Sequence, residues 1–218
     1  MDSWNKVGYE ILFRSDRYHS PEQAFQLAEQ ENVLYELETA SIHKAIQQFR
    51  MTYTSYSPYQ LFINVYPTTI MNPMFPDFLT CISDLYDAKN IVFEIIESEQ
   101  IVDMESFKET ILAIRKLGFG IAIDDLGKGT SEFKKIIELK PDVIKLDMYF
   151  AKNINKSSEK QFIIKSIKEY CKEFNIKLTL EGLEYPVEVA TAKLLEIDYG
   201  QGYLLGRPQL LISNMARL

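Results

Sequence analysis

The sequence is poor in the residues that build the commonest metal and nucleophile sites. Its 218 residues include only two histidines and two cysteines. His19 and His43 stand far along the chain from the acidic apolar runs described below, which excludes a histidine-based zinc site and a Ser-His-Asp triad. Cys81 and Cys171 are isolated and match no metal or redox spacing, so a reducing, cytoplasmic setting is expected. Long apolar runs are also missing, and no window approaches the roughly 20 residues of a membrane span. The opening MDSWNKVGYE lacks the basic-then-apolar layout of a signal peptide, so no membrane partner is expected. Basic residues are outnumbered, and the formal charge of −7 argues against duplex nucleic acid as a partner. An anionic small molecule stays open, because bound metal ions reverse the local field. With no low-complexity tract and no Gly/Ser linker, a single domain over residues 1–218 is expected.

What is present is an alternation of helical and strand-like patterns. Residues 21–33 open with Pro at a helix start, and residues 35–50 form a second helical stretch. Residues 104–118 place Phe107, Ile111, Ile114 and Leu117 on one face and stop at Gly118. Residues 157–175 follow a serine N-cap with a stripe of Ile163, Ile164, Ile167, Tyr170, Cys171 and Phe174. Residues 185–198 give a further helix with Pro186 in its first turn. Between them lie the continuous apolar runs IVFEII, GIAID, DVIKLD and KLTLEG, which suit parallel strands buried on both faces. The alternation points to an α/β fold with a parallel sheet. The acids fall towards the C-terminal ends of their runs, where barrel enzymes assemble their sites, and this favours a barrel over an open sheet.

These runs carry polar groups that an apolar strand does not ordinarily tolerate. They are Glu10 in GYEIL, Asn64 in LFINV, Glu94 and Glu97 in IVFEIIE, Asp124 and Asp125 in IAIDD, Lys145 in VIKLD, and Glu181 and Glu184 in LTLEGLE. A buried carboxylate is costly unless it is paired, protonated or bound to metal. Asp124 and Asp125 would point to opposite faces of a regular strand, so a shared site requires the strand to end there and the chain to turn. Gly127 and Gly129 supply such a turn; an ordinary helix N-cap is the other reading of the acid pair. Glu94 sits mid-run, either in a buried salt bridge or as a ligand, and Glu97 has the other parity and suits loop anchoring. Lys145 needs an anion, whether Asp147, an acid of a neighbouring strand or an oxyanion in a site. Gln201 stands between two glycines, where a side chain can approach a ligand, and Arg14 has the guanidinium geometry that grips phosphate. Oxygen donors on successive strands, without histidine, suit Mg²⁺ or Mn²⁺, and two such ions clamp both oxygens in phosphoester hydrolysis.

The segments GYEILFR, FINVY, FEIIES, GIAIDDLGKGTSEF, KPDVIKLD, LEGLE and YGQGYLLGRP occur in the order and at the spacing of one family. In them the chain resembles the EAL-domain cyclic di-GMP phosphodiesterases over nearly its whole length. The namesake Glu-Ala-Leu reads Glu10-Ile11-Leu12, and the usual Asp-Asp-Phe-Gly loop reads Asp-Asp-Leu-Gly, with Lys128 and Thr130 in place of Thr and Tyr. The resemblance implies a TIM-like (β/α)8 barrel with one antiparallel strand. The family's first strand has no clear counterpart before Val7, so that strand is modified or missing.

It further implies hydrolysis of cyclic di-GMP to linear pGpG in bacterial signalling, with two Mg²⁺ or Mn²⁺ ions. The implied metal ligands are Glu10, Asn64, Glu94, Asp124, Asp125 and Glu181. Lys145 would activate water with Glu181 and Gln201 beside it. Arg14, Leu12 and Gln201 would contact substrate, and Glu97 and Glu184 would support loops. Relatives pair through the loop and helix after Asp125, which implies a homodimer. A degenerate member would instead act as a cyclic di-GMP receptor or a protein-interaction module.

Overall fold

The computed structural model describes residues 5–53, 59–96, 99, 101–128 and 132–211. The chain forms two compact units, one built on residues 6–120 and the other on 121–208.

The N-terminal unit holds three parallel strands, β1 (Gly8–Ile11), β2 (Gln60–Val65) and β3 (Ile91–Ile95). Helix α1 (Pro21–Gln30) begins where Ser20 accepts the Gln23 N–H and Pro21 supplies a preset φ. After α1 comes α2 (Leu34–Thr52), which buries Ile42, Ile46 and Phe49. The short α3 (Pro67–Ile70) and α4 (Phe75–Ser83) lead into β3. Helix α5 (Met104–Lys116) starts at Asp103, whose carboxylate accepts the Glu105 and Ser106 N–H groups. Phe107, Ile111 and Ile114 of α5 are buried as the periodicity requires, whereas Leu117 follows the helix and is exposed. Leu61, Ile63, Ile91 and Phe93 are buried within β2 and β3, each contributing about 1.5–3 kcal/mol by leaving water.

In the C-terminal unit four strands run parallel, β4 (Gly120–Leu126), β5 (Val143–Leu146), β6 (Lys177–Leu180) and β7 (Tyr199–Gly200). They alternate with α6 (Glu132–Leu139), α7 (Met148–Ala151), α8 (Ser158–Glu173) and α9 (Pro186–Leu194). Ser157 caps α8, and Ile164, Ile167 and Cys171 are buried. Ile163 and Phe174, expected on that stripe, are exposed instead, because the buried arc of α8 is narrower than its apolar composition. Asp198, just before β7, accepts hydrogen bonds from Lys168, Lys177 and the Leu178 N–H. Burial alone would push Asp198 up, but these bonds outweigh it and hold its carboxyl below the usual range.

Every described strand pairing is parallel, so the antiparallel strand implied by the resemblance has no counterpart among the described residues. No helix among the described residues is long and apolar enough to cross a membrane.

Candidate active site

The end of β4 resolves how two adjacent acids can serve one place. Asp125 adopts a left-handed φ of 58°, and the β4–β5 register slips between Ile123 and Leu126. That conformation costs a non-glycine residue about 1–2 kcal/mol, and aspartate is among the side chains that tolerate it best. The kink breaks strict alternation, and the result is a cluster. One carboxylate oxygen from each of Asp124, Asp125 and Glu181 lies within 4.8 Å of the others, and all three residues are half-buried.

Lys145 points into this cluster from β5. Its Nζ is 2.8 Å from Glu181 Oε1 and 3.2 Å from Asp124 Oδ1, on a side chain that is only 2% exposed. Its partners are therefore acids of the neighbouring strands; Asp147 caps α7 instead, accepting the Tyr149 N–H at 2.7 Å. On the outer side Lys128 Nζ lies 2.9 Å from Asp125 Oδ2, and this contact raises the Lys128 ammonium pKa.

Two glycines make these turns feasible. Gly127 (φ 111°) lies so close to Phe150 that a Cβ would strike the ring, and Gly182 (φ 72°) stands against Met148 in the same way. Gln201 follows β7 and is half-exposed. Its N–H donates to Leu180 O, and its carbonyl accepts the Leu183 N–H, both at 2.9 Å. This ties it to the segment after Glu181. Glu184 is exposed, and its N–H donates to the buried Glu188, which also accepts from Tyr185 N and Asn153 N. Glu188 thus holds the loop after β6 to the segment after α7.

The N-terminal unit carries a second polar set. Asn64 on β2 donates from Nδ2 to Glu10 Oε1 on β1 at 3.2 Å. In the β2–β3 register Asn64 stands opposite Glu94, whose side chain has no solvent exposure. Leu12 and Arg14 follow β1 on exposed backbone, with Arg14 Nη1 donating to Phe13 O at 2.7 Å. Glu97, Gly129 and Thr130 lie outside the described residues.

Sequence reasoning missed Glu38 and Glu99 in this unit. Glu38, on α2, is buried, and both its oxygens accept the Tyr66 N–H, at 3.2 and 3.3 Å. Burial pushes its carboxyl up to about 8, against the pull of the Thr69 hydroxyl and the Tyr66 N–H. Glu99 accepts the Thr68 N–H at 2.9 Å and the Thr68 hydroxyl at 2.7 Å. No sequence signal marks either acid, since each reads as an ordinary solvated charge.

The donor set of the C-terminal cluster fits a hard divalent cation. It consists of carboxylate oxygens from three half-buried acids whose mutual repulsion a cation relieves, and the soft sulfur and imidazole donors that select other metals are absent among them.

Comparison with known proteins decides the family. The EAL domain family model matches residues 1–208. The chain belongs to the EAL domain family. It is 28% identical over 210 residues to the cyclic di-GMP phosphodiesterase PdeB of Shewanella oneidensis, covering 94% of this chain and 24% of that protein. Against the cyclic di-GMP phosphodiesterase PdeF of Escherichia coli it is 29% identical over 218 residues, covering 96% of this chain and 29% of the relative. Among solved structures, the manganese/cyclic di-GMP complex of Klebsiella pneumoniae BlrP1 superposes with a TM-score of 0.81. There the identity is 27%, over 94% of this chain and 52% of that one. The fold is accordingly the TIM-like α/β barrel of EAL type, and the chain spans under a third of the length of the two curated relatives.

Proposed function

We propose that this EAL domain is a metal-dependent phosphodiesterase that hydrolyses cyclic di-GMP to linear pGpG. The observation that carries the reading is the contact of Lys145 with Asp124 and Glu181, inside a cluster that also includes Asp125. A receptor needs to bind a nucleotide. It does not need a buried ammonium held between two carboxylates at the ends of adjacent strands.

Asp124, Asp125 and Glu181 are the proposed metal-holding groups of the C-terminal unit, and Glu10, Asn64 and Glu94 those of the N-terminal unit. Mg²⁺ or Mn²⁺, when bound, supplies positive charge to phosphoester oxygens and lowers the pKa of water. Lys145 directs N–H bonds at the attacking water and stabilises the negative charge that develops as it loses its proton. Glu181, 2.8 Å away, keeps that ammonium oriented. Gln201 supports the same water and contacts substrate from the segment joined to β6. Arg14 grips a substrate phosphate bidentately, with Leu12 packing nearby on the ligand. Glu97 and Glu184 are assigned to loop support, the latter through its backbone bond to Glu188.

One observation favours a second reading, that of a non-catalytic cyclic di-GMP receptor. Lys128 places a cation on Asp125 Oδ2, where a metal would otherwise compete for the same oxygen. Incubation with cyclic di-GMP and Mn²⁺ separates the two. Accumulation of pGpG supports the phosphodiesterase, whereas retention of intact nucleotide without product selects the receptor.

A further inference from the structure

The turn that follows Asn64 is held by two acid side chains that no strand supplies. Asn64 is the second-last residue of β2, and Tyr66 caps the single turn of α3, Pro67–Ile70. From α2, the buried Glu38 wraps both oxygens around the Tyr66 N–H. Glu99, from the segment after β3, takes the Thr68 N–H and hydroxyl together. The backbone on the C-terminal side of Asn64 is thus pinned at two points, two and four residues away. The Asn64 amide itself donates to Glu10 at 3.2 Å. Val65 stays paired with Ile95, but a turn released at Tyr66 and Thr68 shifts the backbone beside it, and the Asn64 amide is then no longer held in one orientation.

We propose that Glu38 and Glu99 act as a clamp of two acid side chains on this turn, with Glu38 as the positioning residue that fixes Asn64 against Glu10. The proposal rests on the reading of Asn64 as a metal-holding group. Neither acid touches substrate; each acts through the backbone. Burial makes Glu38 the firmer jaw. Removing the carboxyl takes away the one side-chain acceptor described for the Tyr66 N–H. Asn64 keeps its place opposite Glu94 in the ladder, but its amide is no longer held in one orientation towards Glu10.

Four variants test the clamp. Glu38→Gln keeps a carbonyl oxygen for the Tyr66 N–H, and Glu38→Leu keeps the volume but offers no acceptor. Glu99→Ala opens the solvent-side jaw and cannot unfold the core, so it remains informative if Glu38→Leu fails to fold. Asn64→Asp identifies the Asn64 side-chain amide signals in an NMR spectrum of the wild-type protein. Supporting outcomes are a kcat lower by about ten- to a hundredfold in Glu38→Leu, with KM within about twofold, and a raised Mn²⁺ requirement. Glu38→Gln should restore most of the rate, and Glu99→Ala should fall between. In both losing variants the Asn64 amide signals should shift or broaden.

An unchanged Asn64 signal and unchanged Mn²⁺ dependence in folded Glu38→Leu and Glu99→Ala would overturn the clamp, even if melting temperatures fall. If the wild-type protein shows no turnover, the phosphodiesterase reading fails by itself. The Asn64 amide signals still decide the clamp in that case, because they report orientation without any reaction.

Discussion

The two units each bring acids to strand ends, and they organise them by different means. In the C-terminal unit Asp124, Asp125 and Glu181 meet two lysines, Lys145 buried on one side and Lys128 exposed on the other. Ion pairs set that geometry, and a strained Asp125 backbone makes it reachable. In the N-terminal unit Glu10 meets an amide, Asn64, and the turn behind is held by backbone N–H bonds to Glu38 and Glu99. Charge balance dominates one cluster and backbone placement the other. Removing a side chain should therefore change chemistry in the first and geometry in the second.

The largest effect is expected at Lys145. Lys145→Ala removes the ammonium that Asp124 and Glu181 share, and kcat should fall by about 10²–10⁴-fold, as for loss of a proton-handling group. Steady-state kinetics check it, and a loss of only a few-fold would remove Lys145 from the chemistry.

Stability comes next. Glu188 and Glu38 are both buried acids serving a loop, but three backbone N–H groups converge on Glu188 whereas one converges on Glu38. Glu188→Ala should thus destabilise by about 1–3 kcal/mol, and by more than Glu38→Ala, since it abandons three part-buried donors where Glu38 serves one. Chemical denaturation measures this, and a cost below that of Glu38→Ala would reverse the ranking.

Glu38 adds a pH signature. Its folded carboxyl stands at about 8, against an ordinary 4.5. Between those values the unfolded chain releases a proton that the folded chain keeps. The contribution is full below the lower value and is lost as pH rises through the folded one, at about 1.4 kcal/mol per pH unit. Glu38→Gln cannot titrate, so its stability relative to wild type should improve steadily from pH 5 to pH 8. Parallel stability curves would contradict the buried, raised carboxyl.

The smallest effect belongs to Lys128, an exposed partner of Asp125. Lys128→Thr should lower the Mn²⁺ concentration for half-maximal rate by a few-fold, in keeping with the roughly 0–1 kcal/mol of a surface ion pair. An increase would mean that Lys128 helps the cluster and does not compete for it.

Much of this is legible in the sequence. Continuous apolar runs with acids at their ends gave the parallel strands, regular apolar spacing gave α5 and α8, and proline at the helix start marked α1 and α9. The one-turn α3 and α7 and the two-residue β7 escaped, because so few residues do not complete a recognisable period; α4 and α6, each of about two turns, were missed as well. Proximity was legible only as a condition: Asp124 and Asp125 needed a turn, and the left-handed Asp125 supplies it. Glu38 and Glu188 were invisible for a different reason. An acid on an amphipathic helix looks the same whether it faces water or a loop's N–H groups, and only tertiary packing distinguishes the two. Packing likewise exposed Ile163, Phe174 and Leu117, which apolar spacing had assigned to buried faces.

The central claim is that Asp124, Asp125, Glu181 and Lys145 form a metal-dependent hydrolytic site. The most direct test is a Mn²⁺ titration of the wild-type chain after chelation and removal of divalent ions, following pGpG formation from cyclic di-GMP. The account predicts no product in the stripped protein and saturable turnover as Mn²⁺ is restored. Cyclic di-GMP that stays bound and intact at every Mn²⁺ concentration would contradict it.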